Sequence, residues 1–432
     1  MSNKHDGGYT GKKPVWLLWT AAGLAVVMAL LALCRFWPAS DGDLGGKPDI
    51  DGAQAGSETG NEEIIEQAQK LALGYFYDEA EELVRDIEGE EADAVRQMCQ
   101  SGRDSLVPYT GKLYHVFFHS LIIDTSLAFD NVGHSAEGYN MWMTTQSEFK
   151  KMLPLFLENG FVLYDITDMV EFDEQGNARA AQILLPEGKK PLVISIDDVN
   201  YYDYMKTDGF ADRLDVDENG RVVTIVKDAN GVESVTYDGD VMPILDSFVD
   251  EHPEFSFRGA KGIVAQTGYA GAFGYRITDL ELYSPEEGRA MLEKVRQVAE
   301  ALRNSGWQIS SHSYTHNQYW NTKSITMDQM SYDTGRWKNE IEPYVGDTNI
   351  FISPFGVNFD NSDVRFRYLV ETGGFHIYCP VGSGMNTWFD GDVMFQERLN
   401  LDGYTMITHP ERVSKYFFDP ALVLDPSRPP MD

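Results

Sequence analysis

Two adjacent carboxylates, Asp197 and Asp198, end the apolar run Pro191-Leu192-Val193-Ile194-Ser195-Ile196. A short apolar run between a proline and an acidic pair reads as a buried strand. Carboxylates side by side at the end of such a strand repel each other and lose hydration, and a divalent cation relieves both penalties. On its own, an Asp-Asp pair more often just opens a solvated loop. A second cluster changes the balance. His312 and His316 lie four residues apart, directly after the expected strand 307–311. In a helical turn such a pair faces one way, with about 5–6 Å between Cβ atoms. A lone His-x-x-x-His arises often by chance as surface or core histidines, but this one follows a strand as the acidic pair does. One Asp and two His bind a cation and leave positions open for water and substrate, as a catalytic metal requires. The second carboxylate is then free to act as a base.

The elements that would carry these residues alternate. Strands are expected at 113–123 (containing His115 and His119), 161–164, 191–196, 260–266, 307–311, 349–353, 375–379 and 404–408. Helices are expected at 145–159, 241–251, 285–305, 327–344 and 364–372. Asn219-Gly220 and Asn230-Gly231 between alternating runs mark a β-hairpin insertion at 212–240. Strands alternating with helices imply parallel pairing, with polar residues gathered at the carboxyl ends of the strands. The fold class is therefore α/β, and the strand ends present Asp197-Asp198, His312 and His316, Pro354-Phe355-Gly356 and His409 in turn.

The flanking sequence bounds the setting. A net charge of −33 argues against a nucleic-acid partner. Cys34, Cys99 and Cys379 form neither a zinc-ribbon pair nor an evident disulfide framework and read as buried thiols. Residues 15–34 form an uncharged apolar span of bilayer length, with Trp16, Trp19 and Trp37 near its ends. Lys4, Lys12 and Lys13 precede it, so residues 1–14 are expected in the cytoplasm and the rest of a single-pass protein outside the cell membrane. A cleaved signal peptide is the alternative, which the lack of a small-x-small cleavage site disfavours. Residues 35–60 read as a flexible linker, and 61–102 as a helical hairpin spacer. That hairpin resembles a single tetratricopeptide-like unit, which cannot bury its own face. As a docking module it would need a protein partner that the sequence does not name.

On these motifs the region 109–425 resembles a polysaccharide deacetylase of carbohydrate esterase family four, closest to the exopolysaccharide-deacetylase-like branch. Asp197-Asp198 stands where that family has Thr-Phe-Asp-Asp-Gly, and His312-Ser313-Tyr314-Thr315-His316 matches its His-Ser/Thr-x-x-His motif. Ser353-Pro354-Phe355-Gly356 resembles its Pro-Tyr-Gly motif, and Met406-Ile407-Thr408-His409 its Leu-x-His motif. The resemblance implies a distorted (β/α) barrel of the NodB type and hydrolysis of N-acetyl groups on an acetylated polysaccharide or peptidoglycan. It implies that Asp198, His312 and His316 bind a divalent metal, usually zinc, and that Asp197 is the general base. It also implies that the backbone N–H of Phe355 holds the oxyanion and that His409 protonates the departing amine. Tyr314, Pro354 and Phe355 would line the substrate site.

Two departures bear on turnover. Val199 replaces the glycine of the first motif, and Ile352 stands where many members carry an arginine that braces the base. Arg398 is either the substitute brace or an ordinary surface ion pair. The rival readings are an O-acetyl esterase with the same apparatus and a glycan-binding protein that keeps the fold without turnover.

Overall fold

A computed structural model describes residues 55–228 and 230–431, with the backbone alone for 55–59. The expected tail (1–14), anchor (15–34) and most of the linker (35–60) lie outside the described residues. Among those described, no helix is long and apolar enough to cross a membrane.

Three helices come first: α1 (Ala55–Leu73), α2 (Tyr77–Leu83) and α3 (Glu90–Asp104). Strand β1 (Tyr114–Phe118) precedes α4 (Ala136–Trp142) and α5 (Gln146–Glu158), then β2 (Phe161–Leu163) and β3 (Lys190–Ile196). Strands β4 (Arg213–Val216), β5 (Val222–Lys227) and β6 (Glu233–Thr236) lead to α6 (Val241–Glu251). Strand and helix then alternate through β7 (Ile263–Gln266), α7 (Pro285–Asn304), β8 (Gln308–Ser311), α8 (Met327–Glu340), β9 (Ile350–Ile352) and α9 (Val364–Glu371). The chain closes with β10 (Ile377–Cys379), β11 (Thr387–Asp390), β12 (Val393–Gln396), β13 (Leu399–Asn400) and α10 (Gly403–Thr408).

The larger helices start where the sequence supplies caps. Thr145 and Glu148 form a capping box on α5, as do Ser284 and Glu287 on α7 and Thr326 and Gln329 on α8. Each box satisfies orphan backbone donors in the first turn.

The main sheet runs β11-β12-β10-β9-β8-β7-β3-β1-β13, with β2 also paired to β3. All its pairings are parallel except the β11–β12 hairpin. The Arg398 N–H donates to the Pro380 carbonyl (2.9 Å), and Gly382 N–H donates to that of Arg398 (3.0 Å). This rung joins the segment after β10 to the residue before β13, and the sheet curls into a half-barrel, consistent with a distorted barrel.

Strand side chains alternate between faces, and the two faces belong to different cores. Leu192, Ile194, Val264, Phe351, Tyr378 and Phe395 join the helices α5 to α9 in the main cluster. Val193, Ile263, Ile350, Ile377 and Met394 point the other way and share a cluster with Ala68, Ala72, Val84, Val95 and Cys99 of α1 to α3. The Tyr75 hydroxyl also donates to the Glu254 carbonyl (2.9 Å). The helices expected as a spacer thus plug one end of the sheet. A hairpin that cannot bury its own apolar face buries it here against strand side chains.

Three expectations change. Residues 55–60, assigned to the linker, already belong to α1. The insertion at 212–240 is a three-stranded antiparallel sheet, β4-β5-β6, rather than one hairpin. The strand expected at 404–408 is helix α10, because Asp402 caps it by accepting from Thr405 N–H (2.8 Å). A five-residue apolar run does not declare its own period. The parallel partner of β1 is instead Leu399–Asn400.

The C-terminal segment closes the fold on a buried ion pair. Arg428 donates to both oxygens of Glu148 (2.6 and 2.7 Å) and to the carbonyls of Asn140 and Met143 (2.7 Å each). Both side chains are almost fully buried. Arg428→Ala leaves Glu148 charged and unpaired, and should lower unfolding stability by about 3–5 kcal/mol. Urea denaturation would show this as a lower midpoint at unchanged slope.

Candidate metal centre

One ligand atom from each of Asp198, His312 and His316 lies within 4.8 Å of the others. Asp198 follows β3 and His312 follows β8; the two strands flank β7 and run parallel to it. Parallel strands bring their carboxyl ends to one rim, so the pairing itself gathers residues more than a hundred positions apart.

The two histidines do not meet through a helical turn. Ser313 (φ 67°) and His316 (φ 42°) both take left-handed backbone conformations, and the imidazole centroids lie 5.0 Å apart. Asp333 of α8 holds this loop. Its carboxylate accepts from Tyr314 N–H (2.8 Å), Thr315 N–H (2.8 Å), the Thr315 hydroxyl (2.6 Å) and Trp320 Nε1 (3.4 Å).

Asp198 is itself in a left-handed conformation (φ 57°). Its Oδ1 accepts from the Tyr202 hydroxyl (2.6 Å) and the Thr267 hydroxyl (2.5 Å), and its Oδ2 lies 3.9 Å from His316 Nε2. His312 Nδ1 lies 2.8 Å from the Ile352 carbonyl, which can only accept, so Nδ1 carries the proton and Nε2 presents a lone pair. That lone pair is 3.9 Å from Asp197 Oδ2. These carboxylate and imidazole atoms thus face one another across gaps too long for hydrogen bonds. A metal ion could be held between these atoms.

Burial alone would raise the Asp198 carboxyl, but His316, His312 and His119 hold it well below the usual carboxylate range. For Asp197 burial is opposed by the Arg398 guanidinium and by His312, with the net direction again downward. Burial lowers His312, against the pull of both carboxylates.

Arg398 is wholly buried and forks onto Asp197, Nη1 to Oδ1 at 2.7 Å and Nη2 to Oδ2 at 3.0 Å. Its Nη1 also reaches Ser195 Oγ (3.1 Å), which meets His115 Nε2 (3.0 Å), and His115 Nδ1 meets Gln396 Oε1 (3.1 Å). Burial, aided by Arg398, pushes His115 far down, so it stays neutral. Arg398 is therefore the brace of Asp197 and not a surface ion pair. Ile352 contributes through its carbonyl what its side chain cannot.

The other candidates fall in different places. The Phe355 ring lies 4.4 Å from that of His316 and is 42% exposed, while Pro354 is buried. Phe355 has a left-handed backbone (φ 56°) within a single 3-10 turn, Pro354–Gly356. Tyr314, expected to touch substrate, is buried with its hydroxyl on Glu340 (2.8 Å). Val199 is buried in the main cluster. His409 caps the end of α10, and its described contacts are Tyr404 (3.3 Å) and Glu411 (3.6 Å). No described contact joins it to the carboxylates.

Besides His312, the histidine beside both carboxylates is His119. The register explains this: Phe118 pairs with Ile196, and Asp197 N–H donates to the Phe118 carbonyl (2.8 Å), so the residue after β1 stands level with the acidic pair. Two apolar runs that both end in polar residues carried that signal. Asp240 anchors the two loops that leave these strands, accepting from Leu121 N–H (3.1 Å), Val241 N–H (2.8 Å) and the Tyr201 hydroxyl (2.6 Å).

No known family, curated protein or solved structure matches the chain.

Two measurements test these supports. Asp333→Ala should weaken the affinity for a divalent metal about 10- to 100-fold in competition with a chromophoric chelator, the usual cost of losing an outer partner. Burial raises the Asp240 carboxyl to about 6. Its stability contribution is then complete below the unfolded value near 4 and is lost as pH rises through about 6. Asp240→Asn should flatten that fall in urea midpoints taken between pH 4 and 7.

Proposed function

We propose that this protein is a metal-dependent carbohydrate deacetylase, built on a distorted (β/α) barrel of the polysaccharide-deacetylase type. It removes N-acetyl groups from cell-wall glycan or an exported polysaccharide. The observation that carries this reading is the convergence of Asp198, His312 and His316 beside a second, arginine-braced carboxylate.

Asp198, His312 and His316 hold the metal, zinc by the character of the donors. When bound, it supplies Lewis-acid polarisation and makes water acidic enough to be deprotonated near neutral pH. Asp197 takes the proton of the attacking water; Arg398 keeps it ionised and fixes its plane. The Phe355 N–H stabilises the oxyanion that develops on the acetyl oxygen. As the second residue of a single 3-10 turn, Phe355 has no acceptor for that N–H within its own turn. His119 delivers the proton to the departing amine nitrogen, the task the sequence resemblance assigned to His409. An N-terminal anchor at 15–34 would carry this domain on the outer face of the cell membrane.

Two observations favour turnover over binding alone. Arg398 forks onto Asp197, as a brace of the base would, and Val199 is buried in the main cluster.

The full chain in detergent, supplied with zinc and acetylated glucosamine oligomers, should release acetate and leave free amines. Free amines separate N- from O-deacetylation. Asp197→Asn should slow release by about 10²–10⁴-fold, and His119→Ala should slow it more than His409→Ala does. Equal release by wild type and Asp197→Asn would sink the proposal.

A further inference from the structure

Beside the metal centre stand three tyrosines that the proposed reaction does not use as a group. The rings of Tyr204 and Tyr202 are 5.4 Å apart at 11°, and those of Tyr202 and Tyr269 are 5.6 Å apart at 18°. Tyr202 is buried, whereas Tyr204 and Tyr269 are each 46% exposed. His134 packs on Tyr204 at 4.7 Å, while no aromatic partner other than Tyr202 stacks on Tyr269 among the described residues. The ladder therefore presents its open end at Tyr269.

This exposed surface is held rigidly. Arg276 donates to the carbonyls of Asn200 (3.0 Å), Tyr201 (2.6 Å) and Ala270 (2.9 Å), binding together the two loops that carry the tyrosines. The Asn200 side chain adds bonds to the Thr267 (2.5 Å) and Gly271 (2.7 Å) carbonyls. Large aromatic rings left half exposed on loops fixed this firmly are an apolar surface ordered before any ligand arrives, which cuts the entropy cost of binding. The ladder is also continuous with the centre, since the Tyr202 hydroxyl bonds the metal-ligand carboxylate of Asp198.

We propose that the Tyr204–Tyr202–Tyr269 ladder is a pyranose-binding subsite, seating a sugar ring next to the one whose acetyl group reacts. This rests on the deacetylase reading for its position but not for its chemistry. The C–H face of a pyranose is a flat apolar surface that stacks on aromatic rings, with its hydroxyls left to solvent. A nucleobase would offer a similar face, but it brings phosphates toward a chain of net charge −33.

The test uses the full chain in detergent with zinc, carrying Asp197→Asn to prevent turnover, and calorimetry with a linear N-acetylglucosamine pentamer. Adding Tyr204→Ala or Tyr269→Ala should weaken pentamer binding about 3- to 10-fold and leave zinc affinity unchanged. Tyr204→Phe and Tyr269→Phe, which keep the rings, should retain pentamer binding and so exclude misfolding as the cause. Tyr202→Phe keeps the ladder and removes the hydroxyl from Asp198, so it should weaken zinc binding and spare the pentamer. Pentamer binding lost in the alanine variants supports the subsite even if the wild type releases no acetate, a result that would end the deacetylase reading alone. Alanine variants that bind the pentamer as the parent does would overturn the subsite and leave that reading standing.

Discussion

The buried pair of Asp197 and Arg398 is the constraint on which the rest of the site turns. A carboxylate with almost no solvent access costs several kcal/mol unless a cation and hydrogen bonds compensate. Arg398 reaches Asp197 from a segment two hundred residues away, and only because β13 pairs with β1 while the residue before it bridges to the end of β10. The curl of the sheet is thus what allows an ionised carboxylate inside it. Below the pair, Ser195, His115 and Gln396 pass hydrogen bonds in one direction and leave no charge behind. An apolar floor formed with α1 to α3 closes the layer beneath.

Backbone strain concentrates at the same place. Asp198, Ser313, His316 and Phe355 all have positive φ, and each such residue costs on the order of 1–3 kcal/mol. The compensation comes from groups that do no chemistry of their own: the hydroxyls of Tyr202 and Thr267, the Asp333 carboxylate and the Ile352 carbonyl. The neighbouring loops are secured in the same way by Asp240 and Arg276. The rim is thereby preorganised from outside, with the ligand atoms left free to face the same space.

Much of this was legible in the chain. Alternating strands and helices and polar residues at the strand ends are local signals, and they located the acidic pair and both histidines. The illegible parts depended on long-range pairing. His119 reads as a strand residue until the register of β1 against β3 places it level with Asp197. Arg398 is indistinguishable from a surface arginine until the sheet curls. The run 404–408 is too short to choose between helix and strand, so His409 was assigned to a rim that its own helix keeps it from sharing in any described contact. Tyr314 looked available because its neighbours in sequence are ligands, yet its hydroxyl is spent on Glu340.

The Arg428–Glu148 pair has a consequence for how the chain matures. The carboxylate that caps α5 is neutralised by a residue 280 positions later. During synthesis, the first half of the domain emerges with Glu148 and the carbonyls of Asn140 and Met143 awaiting a partner still inside the ribosome. Contacts of such separation form late and slow folding. The seal of the domain therefore lies outside the segments that carry the metal centre: a chain cut just before Arg428 keeps every residue of that centre and loses the buried pair.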